Sequence, residues 1–259
     1  MKNTASGFIT FLGTAGARFV VTRQLRASGG IWLNLENTGL LVDPGPGCLV
    51  HGLRNQPPLD PLKINGIFLS HKHLDHSGDL NVMIEAVTNG GFTKRGVLFA
   101  PGDALSDDPV VSKHLRPFLK EIVTLRERGE YRLGPLHIRT PVRHLHGVET
   151  YGFRLDSGKK PVISYIPDSR YFSGIAEAYE KTDILIINTV FYERREGFMH
   201  LSLPEAEEII RHVRPRKAIL THFGMTMLRK RIWEKTAEIS ERAGAEVIAA
   251  SDGMTISLS

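Results

Sequence analysis

The sequence predicts a mixed fold of strands and helices, α/β or α+β; two sheets packed face to face would bury its strands on both sides. Short apolar runs typical of buried strands recur along the chain, several of them bounded by Gly, Pro or Asp. The early runs follow one another closely, as in a meander, whereas the later runs alternate with helical patterns. Strands of this kind need cover on both faces, so we expect helices outside each sheet. The runs lie at 7–12, 31–35, 39–42, 64–70, 96–100, 136–140, 151–155, 162–166, 184–188, 218–220, 246–249 and 254–258.

Three helical patterns lie between these runs. The first spans residues 80–88. In the second, Ser202 followed by Glu205 predicts a capping box, before a helix that ends near Val213. The third is a long amphipathic pattern over about 226–243 that stops at Gly244, a residue that favours the turn after a helix.

Composition and charge limit the class of protein. The chain has 259 residues, 41% hydrophobic and 24% charged, which suits a globular protein with a sizeable core. No apolar stretch approaches the roughly 18 residues of a membrane helix, and the start of the chain lacks a secretory apolar region. The single cysteine, Cys48, excludes an internal disulfide and suits a reducing compartment. We therefore expect one domain over 1–259 in a cytoplasmic protein without membrane association, and a homodimer is compatible with the sequence.

The formal net charge of +5 favours an anionic substrate, because a positive field concentrates anions near a cleft. The charges are dispersed, apart from a basic cluster at 229–231. We interpret this cluster as the solvated face of a helix rather than as a phosphate-binding site.

The most informative stretch is His71-Lys72-His73-Leu74-Asp75-His76, directly after the apolar run at 64–70. Imidazole nitrogen and carboxylate oxygen are ligands of divalent metals such as zinc. In an extended segment, residues two apart point the same way, so His71 and His73 can bind one ion together. Asp75 and His76 then enter the helical pattern and can face a second ion. The density of ligand types predicts a metal site rather than a polar surface turn.

Three more candidate ligands lie just beyond apolar runs. Asp168 follows the run at 162–166, His222 follows the run at 218–220, and His146 closes the segment 142–146. Loops at the carboxyl ends of strands are where α/β sheets tend to place their sites. His144 lies two residues before His146 on the same side of a predicted strand, so the residues alone leave these two histidines as alternatives.

The motif His-x-His-x-Asp-His at 71–76 resembles the signature of the metallo-β-lactamase-fold hydrolases. The segment 146–155 is similar to the third metal motif of the tRNA 3′-end nucleases (RNase Z) and related phosphodiesterases, a branch that includes the cyclic phosphodiesterase of phosphonate breakdown. Segments 165–169 and 220–223 resemble the fourth and fifth motifs, and 11–16 and 41–45 the opening strands and first motif. The resemblance covers about residues 8–223. It implies a four-layer αβ/βα sandwich, two mixed β-sheets flanked by helices.

The resemblance also implies a site for two divalent ions with seven ligands. One ion would be bound by His71, His73 and His146, the other by Asp75, His76 and His222, with Asp168 between them. The Gly-Val-Glu-Thr-Tyr-Gly context after position 146 favours His146 over His144. Asp43 would orient the metal ligands without itself binding an ion. The alternative for Asp43 is an aspartate of the turn before Pro44. Zinc is the expected metal, and His/Asp ligation also suits manganese or iron.

Such a pair of ions, about 3.5–4 Å apart, would hold a bridging hydroxide at neutral pH and stabilise the negative charge that develops on a phosphoryl or carbonyl oxygen. Asp75 would orient the hydroxide or accept its proton. His200 resembles the histidine that contacts the scissile phosphate in RNase Z and the cyclic phosphodiesterase, and we expect it to protonate the leaving group. The alternative for His200 is a water-exposed position at the entry to a helix. His73 stands where the flavodiiron reductases of this fold carry Glu, so hydrolysis is favoured over redox chemistry.

The leading hypothesis is a dinuclear metal-dependent phosphodiesterase for a small, cyclic or nucleotide-derived phosphodiester. True tRNA 3′ processing is less favoured, because the interval 147–167 is too short for the long arm that the resemblance implies in RNase Z. RNA is thus a less favoured partner than a small anionic substrate. Carbonyl hydrolysis, as in glyoxalase II, lactonases and β-lactamases, uses the same metal motif. A metal-free binding module is disfavoured, since every expected ligand type is present.

Overall fold

The computed structural model describes residues 7–106, 108–159 and 161–258, and it contains two β-sheets of seven strands each within these ranges. Strands are numbered in chain order. The first sheet has the order β14-β1-β2-β3-β4-β5-β6. Its strands are β1 (Gly7–Phe11), β2 (Ile31–Leu35), β3 (Thr38–Val42), β4 (Ile64–Phe68), β5 (Val97–Ala100), β6 (Glu121–Thr124) and β14 (Thr255–Ser257).

The second sheet has the order β13-β12-β11-β10-β9-β8-β7. Its strands are β7 (Gly129–Leu133), β8 (Leu136–Thr140), β9 (Phe153–Asp156), β10 (Ile163–Ile166), β11 (Ile184–Asn188), β12 (Lys217–Thr221) and β13 (Glu246–Ala249). In each sheet one half is parallel, β3 to β6 in the first and β10 to β13 in the second, and the other half is antiparallel. Both sheets are therefore mixed.

Helices cover the outer face of each sheet. Their bounds are α1 (Ala17–Thr22), α2 (Cys48–Arg54), α3 (Leu74–Ser77), α4 (Leu80–Val87), α5 (Leu203–Val213), α6 (Met225–Arg229) and α7 (Thr236–Ala243). Buried residues of α2 and α4 share one apolar cluster with the first sheet, and those of α5 and α7 share another with the second. The predicted four-layer arrangement is confirmed. Within the described ranges, no helix combines the length and apolar character needed to cross a bilayer.

A third apolar cluster fills the space between the two sheets. Phe68 of the first sheet and Phe153 of the second meet edge to face, with ring centroids 5.0 Å apart. Phe11, Ile186 and Ile219 are fully or almost fully buried in the same cluster. Complete burial of side chains of this size stabilises the fold by about 1.5–3 kcal/mol each. This packing fixes the position of one sheet relative to the other.

The same packing aligns the carboxyl ends of parallel strands from both sheets along one edge. A backbone hydrogen bond of 3.0 Å from Tyr151 to the Ser70 carbonyl joins the loop after β4 to the segment before β9. A second bond, 2.8 Å from Phe223 to the Thr14 carbonyl, joins the loop after β12 to the loop after β1. Residues from distant parts of the chain are thus held together at this edge.

The helix predictions had mixed outcomes. The capping box of α5 is confirmed, because the Ser202 backbone N–H donates to the Glu205 carboxylate at 2.8 Å. The single helix over 226–243 is wrong. The chain forms α6, a short 3₁₀ turn at Ile232–Glu234 and α7, with Arg231 in the left-handed region at φ 50° between the first two.

The break in this helix has a packing reason. Met227 and Ile232 both lie in the cluster that covers the second sheet. Residues five apart on a continuous helix point about 140° away from each other, at 100° per residue. The turn at Arg231 brings both side chains to the same core. Gly244 ends α7 in the left-handed conformation, as predicted.

Candidate metal centre

The predicted ligands converge at the edge where β4, β10 and β12 end. They form two groups, and within each group one ligand atom per residue lies within 4.8 Å of all the others. The groups are His71, His73 and His146, and Asp75, His76, Asp168 and His222. The structure therefore brings all seven predicted ligands together. His200 joins His146 and Asp168 in a further overlapping group.

The first group consists of three imidazoles. Nε2 of His146 lies 3.0 Å from Nδ1 of His73, and the ring of His71 lies within 4.9 Å of both other rings, centroid to centroid. Nδ1 of His146 is 2.9 Å from the carbonyl oxygen of Met199. Because a carbonyl only accepts, this nitrogen carries the proton and leaves the Nε2 lone pair facing His73.

The second group is arranged around two carboxylates. Oδ2 of Asp168 lies 3.5 Å from Nε2 of His76 and 3.3 Å from Nε2 of His222. Oδ2 of Asp75 lies 3.9 Å and 3.6 Å from the same two nitrogens. Asn188 donates to the other oxygen of Asp168 at 2.9 Å and so fixes the orientation of that carboxylate.

Asp43 lies behind both groups and is almost completely buried. Its Oδ1 accepts from the Ser70 backbone N–H at 2.6 Å, and its Oδ2 accepts from the Ser70 hydroxyl, the Tyr165 hydroxyl and Nδ1 of His76 at 2.7, 2.8 and 3.0 Å. The Ser70 hydroxyl in turn accepts from Nδ1 of His71 at 2.9 Å. One carboxylate thus sets the tautomer of a histidine in each group, with the proton on Nδ1 and the lone pair on Nε2.

Three buried nitrogen atoms have no hydrogen-bond partner in this network, and their chemistry indicates which ligand the site can bind. Nε2 of His71, His76 and His222 is buried and has no hydrogen-bond partner among the described residues. A buried polar atom without a partner costs about 1–3 kcal/mol, so three such atoms at one place need a common ligand. Imidazole lone pairs beside carboxylate oxygens are the donor set of zinc and related divalent ions. The donor atoms of these histidines and aspartates therefore fit a divalent metal ion such as zinc.

Burial keeps the three imidazoles of the first group uncharged, which favours the binding of a cation. Desolvation lowers the pKa of His71, His73 and His146, so these imidazoles are neutral at pH 7. A metal ligand must be deprotonated, and no proton has to be displaced from this group.

The second group has a strong negative field. Burial lowers the pKa of His76, but Asp75 and Asp43 outweigh it and hold that pKa well above the usual value. Burial raises the pKa of Asp168, but His222 and His200 outweigh it and hold that pKa well below the usual range. Carboxylates that attract a proton to an imidazole attract a cation placed among them in the same way.

Glycine permits the close approach of the loops that carry the second group. His222 itself adopts the left-handed conformation at φ 60°. A Cβ atom on Gly16 would overlap the carbonyl oxygen of His222, and a Cβ atom on Gly45 would overlap the carbonyl oxygen of Asp75. These two positions therefore need glycine for steric reasons.

His146, and not His144, faces the site. Nε2 of His144 lies 2.7 Å from the Tyr179 hydroxyl in a buried position away from the ligand groups, and burial lowers its pKa to about 3. The segment is a loop held by an isolated bridge between Arg143 and Tyr151, so the strand alternation that put both histidines on one side does not apply.

His200 lies at the mouth of the site and not at an exposed helix entry. Its Nε2 is 3.2 Å from Oδ2 of Asp168, and its ring centroid is 5.1 Å from that of His146. Its side chain is 23% exposed. Burial lowers the pKa of His200, but Asp168 outweighs that effect and raises it.

Sequence reasoning missed four supporting residues, namely Ser70, Tyr165, Asn188 and the carbonyl of Met199. Asn188 carried a usable signal, because it is the polar last residue of an apolar strand whose carboxyl end faces the site. Met199 carried none, since any residue supplies a carbonyl.

The fold and the site define a class of protein. Residues 38–223 match the model of the β-lactamase superfamily domain, and the chain belongs to that family. It is a metallo-β-lactamase-fold hydrolase, and its two groups of His and Asp ligands suit the divalent metal that this fold implies.

Individual relatives extend over almost the whole chain. An uncharacterized protein of Methanocaldococcus jannaschii, MJ1374, is 30% identical over 256 residues, covering 96% of this chain and 94% of its own. The crystal structure of the metallo-β-lactamase fold protein YhfI from Bacillus subtilis is similar with a TM-score of 0.80 at 22% identity, covering 97% and 99% of the two chains. A diphosphatase of the PhnP family is similar with a TM-score of 0.71 at 18% identity, covering 97% of each chain. These two structural likenesses support the fold.

Proposed function

We propose that the chain is a phosphodiesterase that uses two divalent ions, most readily zinc, to hydrolyse a small, cyclic or nucleotide-derived phosphodiester. The observation that carries the proposal is the position of His200. Its Nε2 lies 3.2 Å from Asp168, a member of the second ligand group whose carboxylate also lies within 4.8 Å of a ligand atom of His146 in the first. An imidazole at this point is within reach of the leaving oxygen of a phosphate bound between the groups, and it can donate the proton that an alkoxide needs.

Charge favours a phosphodiester over a neutral ester. Two divalent ions would bring four positive charges, against one negative charge each from Asp43, Asp75 and Asp168. The excess positive charge attracts an anion, in keeping with the net charge of +5 of the chain. The similarity to a PhnP-family diphosphatase supports a phosphorus-containing substrate.

The ions, when bound, lower the pKa of water and polarise a phosphoryl oxygen. The chain's own residues supply the rest. Asp75, whose side chain is 20% exposed, can orient the attacking water and accept its proton. Asp43 keeps the lone pairs of His71 and His76 directed into the site. His200 protonates the leaving oxygen.

The test combines metal analysis with a turnover assay. Protein reconstituted with zinc or manganese should hold two ions per chain and hydrolyse bis-p-nitrophenyl phosphate. His200→Ala should keep both ions and lose roughly 10²–10⁴-fold in kcat on a diester with a poor leaving group. The control is His114→Ala, an exposed histidine on the 3₁₀ segment Lys113–Phe118. A protein that holds two ions and turns over no phosphodiester contradicts the proposal.

A small substrate is favoured over precursor tRNA by the segment between the third and fourth motifs. In the interval 147–167 the described residues form a short segment that leads into β9, then β9, the connection to β10, and β10 itself. The interval therefore leaves no room for a long arm. Turnover of 2′,3′-cyclic phosphates without cleavage of precursor tRNA is expected, and the reverse result favours RNA processing. A panel of thioesters and lactones tests carbonyl hydrolysis, on which His200→Ala should have the smaller effect.

A further inference from the structure

Exposed apolar side chains flank the metal ligands along the chain. Leu74 is 75% exposed between His73 and Asp75, Leu145 is 40% exposed beside His146, and Phe198 and Met199 are 50% and 44% exposed just before His200. Exposed apolar side chains that gather beside a polar centre are candidates for ligand contact, in contrast to those that are scattered singly over a surface. We refer to Leu74, Leu145, Phe191, Phe198 and Met199 as the apolar rim.

The aromatic part of the rim lies next to the proposed proton donor. The Phe191 ring centroid is 5.3 Å from that of Phe198 and 6.0 Å from that of His200, both in edge-to-face geometry. Phe198 and His200 are therefore linked through a single intervening ring. Only the ring of Phe191 would therefore separate a substrate group that contacts Phe198 from His200, the proposed proton donor.

The loop that carries Phe191, Phe198 and Met199 of the rim is anchored at both of its ends. Val190 donates to the Leu201 carbonyl at 3.0 Å, and Leu203 donates to the Phe191 carbonyl at 2.8 Å. The Met199 carbonyl accepts from His146. These bonds hold this part of the rim at a fixed position relative to the metal ligands, so it can contribute to the choice of substrate.

The chemistry of the rim matches a flat aromatic group rather than a long alkyl chain. The Arg195 guanidinium carbon lies 5.1 Å from the Phe191 ring centroid, and an arginine beside an aromatic pair favours stacked, electron-rich rings. Residues 193–196, Glu-Arg-Arg-Glu, are all exposed and interrupt the apolar surface. Charged side chains next to the aromatic pair oppose the burial of a long alkyl chain along this loop, whereas a single flat ring needs contact with the aromatic pair alone.

We propose that the apolar rim binds the base of a nucleoside phosphodiester whose phosphate occupies the metal centre, with Phe198 as the specificity-determining residue. The inference rests on the proposed phosphodiesterase function and narrows its substrate class. It assigns to Phe198 a role in substrate binding and none in the chemical step.

The experiment compares three diesters that release the same leaving group, p-nitrophenol. The other substituent on phosphorus is methyl, phenyl or 5′-thymidine. Wild-type protein should have the highest kcat/KM on the thymidine ester and the lowest on the methyl ester. Phe198→Ala should raise KM for the thymidine ester about tenfold, the order expected for one stacked base, with kcat little changed and the methyl ester unaffected.

Two further variants control for loss of structure. Phe92→Ala removes a phenylalanine that is 91% exposed on the turn after α4, and it should change none of the three substrates. Phe198→Leu keeps apolar bulk without a ring, and should lose most of the preference for thymidine while keeping the wild-type melting temperature.

The outcomes separate the two proposals. An equal effect of Phe198→Ala on all three esters, or no effect, overturns the role of the rim while leaving the phosphodiesterase function intact. A selective effect on the phenyl ester alone overturns the assignment of a nucleobase. If wild-type protein with two ions turns over none of the esters, including the methyl ester, the phosphodiesterase function itself fails and the rim assignment fails with it.

Discussion

Replacing Asp43 by Asn should weaken metal binding without touching a ligand. Three donors converge on Oδ2 of Asp43, from Ser70, Tyr165 and His76. An amide of the same shape has one oxygen, and this oxygen is needed by the Ser70 backbone N–H, which cannot rotate away. The amide nitrogen then takes the place of Oδ2 and presents protons to the three donors.

The two hydroxyl groups can rotate and accept instead, but the imidazole of His76 has to change tautomer. With the proton moved to Nε2, this nitrogen no longer has a lone pair for the ion. His71 is affected through Ser70, because the serine hydroxyl that accepts from it loses its own acceptor. Loss of such a supporting partner typically costs 10–100-fold in metal affinity, which corresponds to about 1.4–2.8 kcal/mol.

The assay is competition for zinc against a chromophoric chelator, combined with thermal unfolding of the metal-free protein. Asp60→Asn is the matched control, because Asp60 is an exposed residue that accepts from the Leu62 backbone N–H far from the ligands, and Asn serves equally well there. Zinc affinity equal to wild type in Asp43→Asn, with the variant fully folded, would falsify the tautomer argument.

Other substitutions test separate parts of the site. In Gly16→Ala the new methyl group overlaps the carbonyl of His222, so we expect a lower melting temperature, by calorimetry, and a lower metal content; wild-type values for both would contradict the steric argument. His146→Ala should lose metal, whereas His144→Ala should keep it and only lose stability; metal analysis of the two variants decides, and the opposite pattern would reverse the assignment. Ser202→Ala removes the N-cap of α5, which costs about 1 kcal/mol, or roughly 2–4 °C in melting temperature for a chain of this size; an unchanged melting temperature would show that the cap contributes nothing.

The local pattern of the sequence was sufficient for much of the fold and of the ligand set. Apolar runs bounded by turn residues located most strands, because a strand buried on both faces has little choice of residue type. They did not locate two strands, β6 (Glu121–Thr124) and β7 (Gly129–Leu133), in which exposed or partly exposed side chains leave only a weak apolar signal. The spacing from His71 to His76 identified a metal site before any contact was known, since few structural needs put so many ligand types in one turn.

Tertiary structure decided which atoms meet. The choice between His144 and His146 depended on a loop conformation, and the break at Arg231 on the direction in which two side chains are buried. The tautomers of the ligands depend on Asp43, Ser70 and a Met199 carbonyl, which come from three separate segments. A sequence specifies residue types and local periodicity, whereas hydrogen bonds between distant segments exist only after the core has fixed the two sheets against each other.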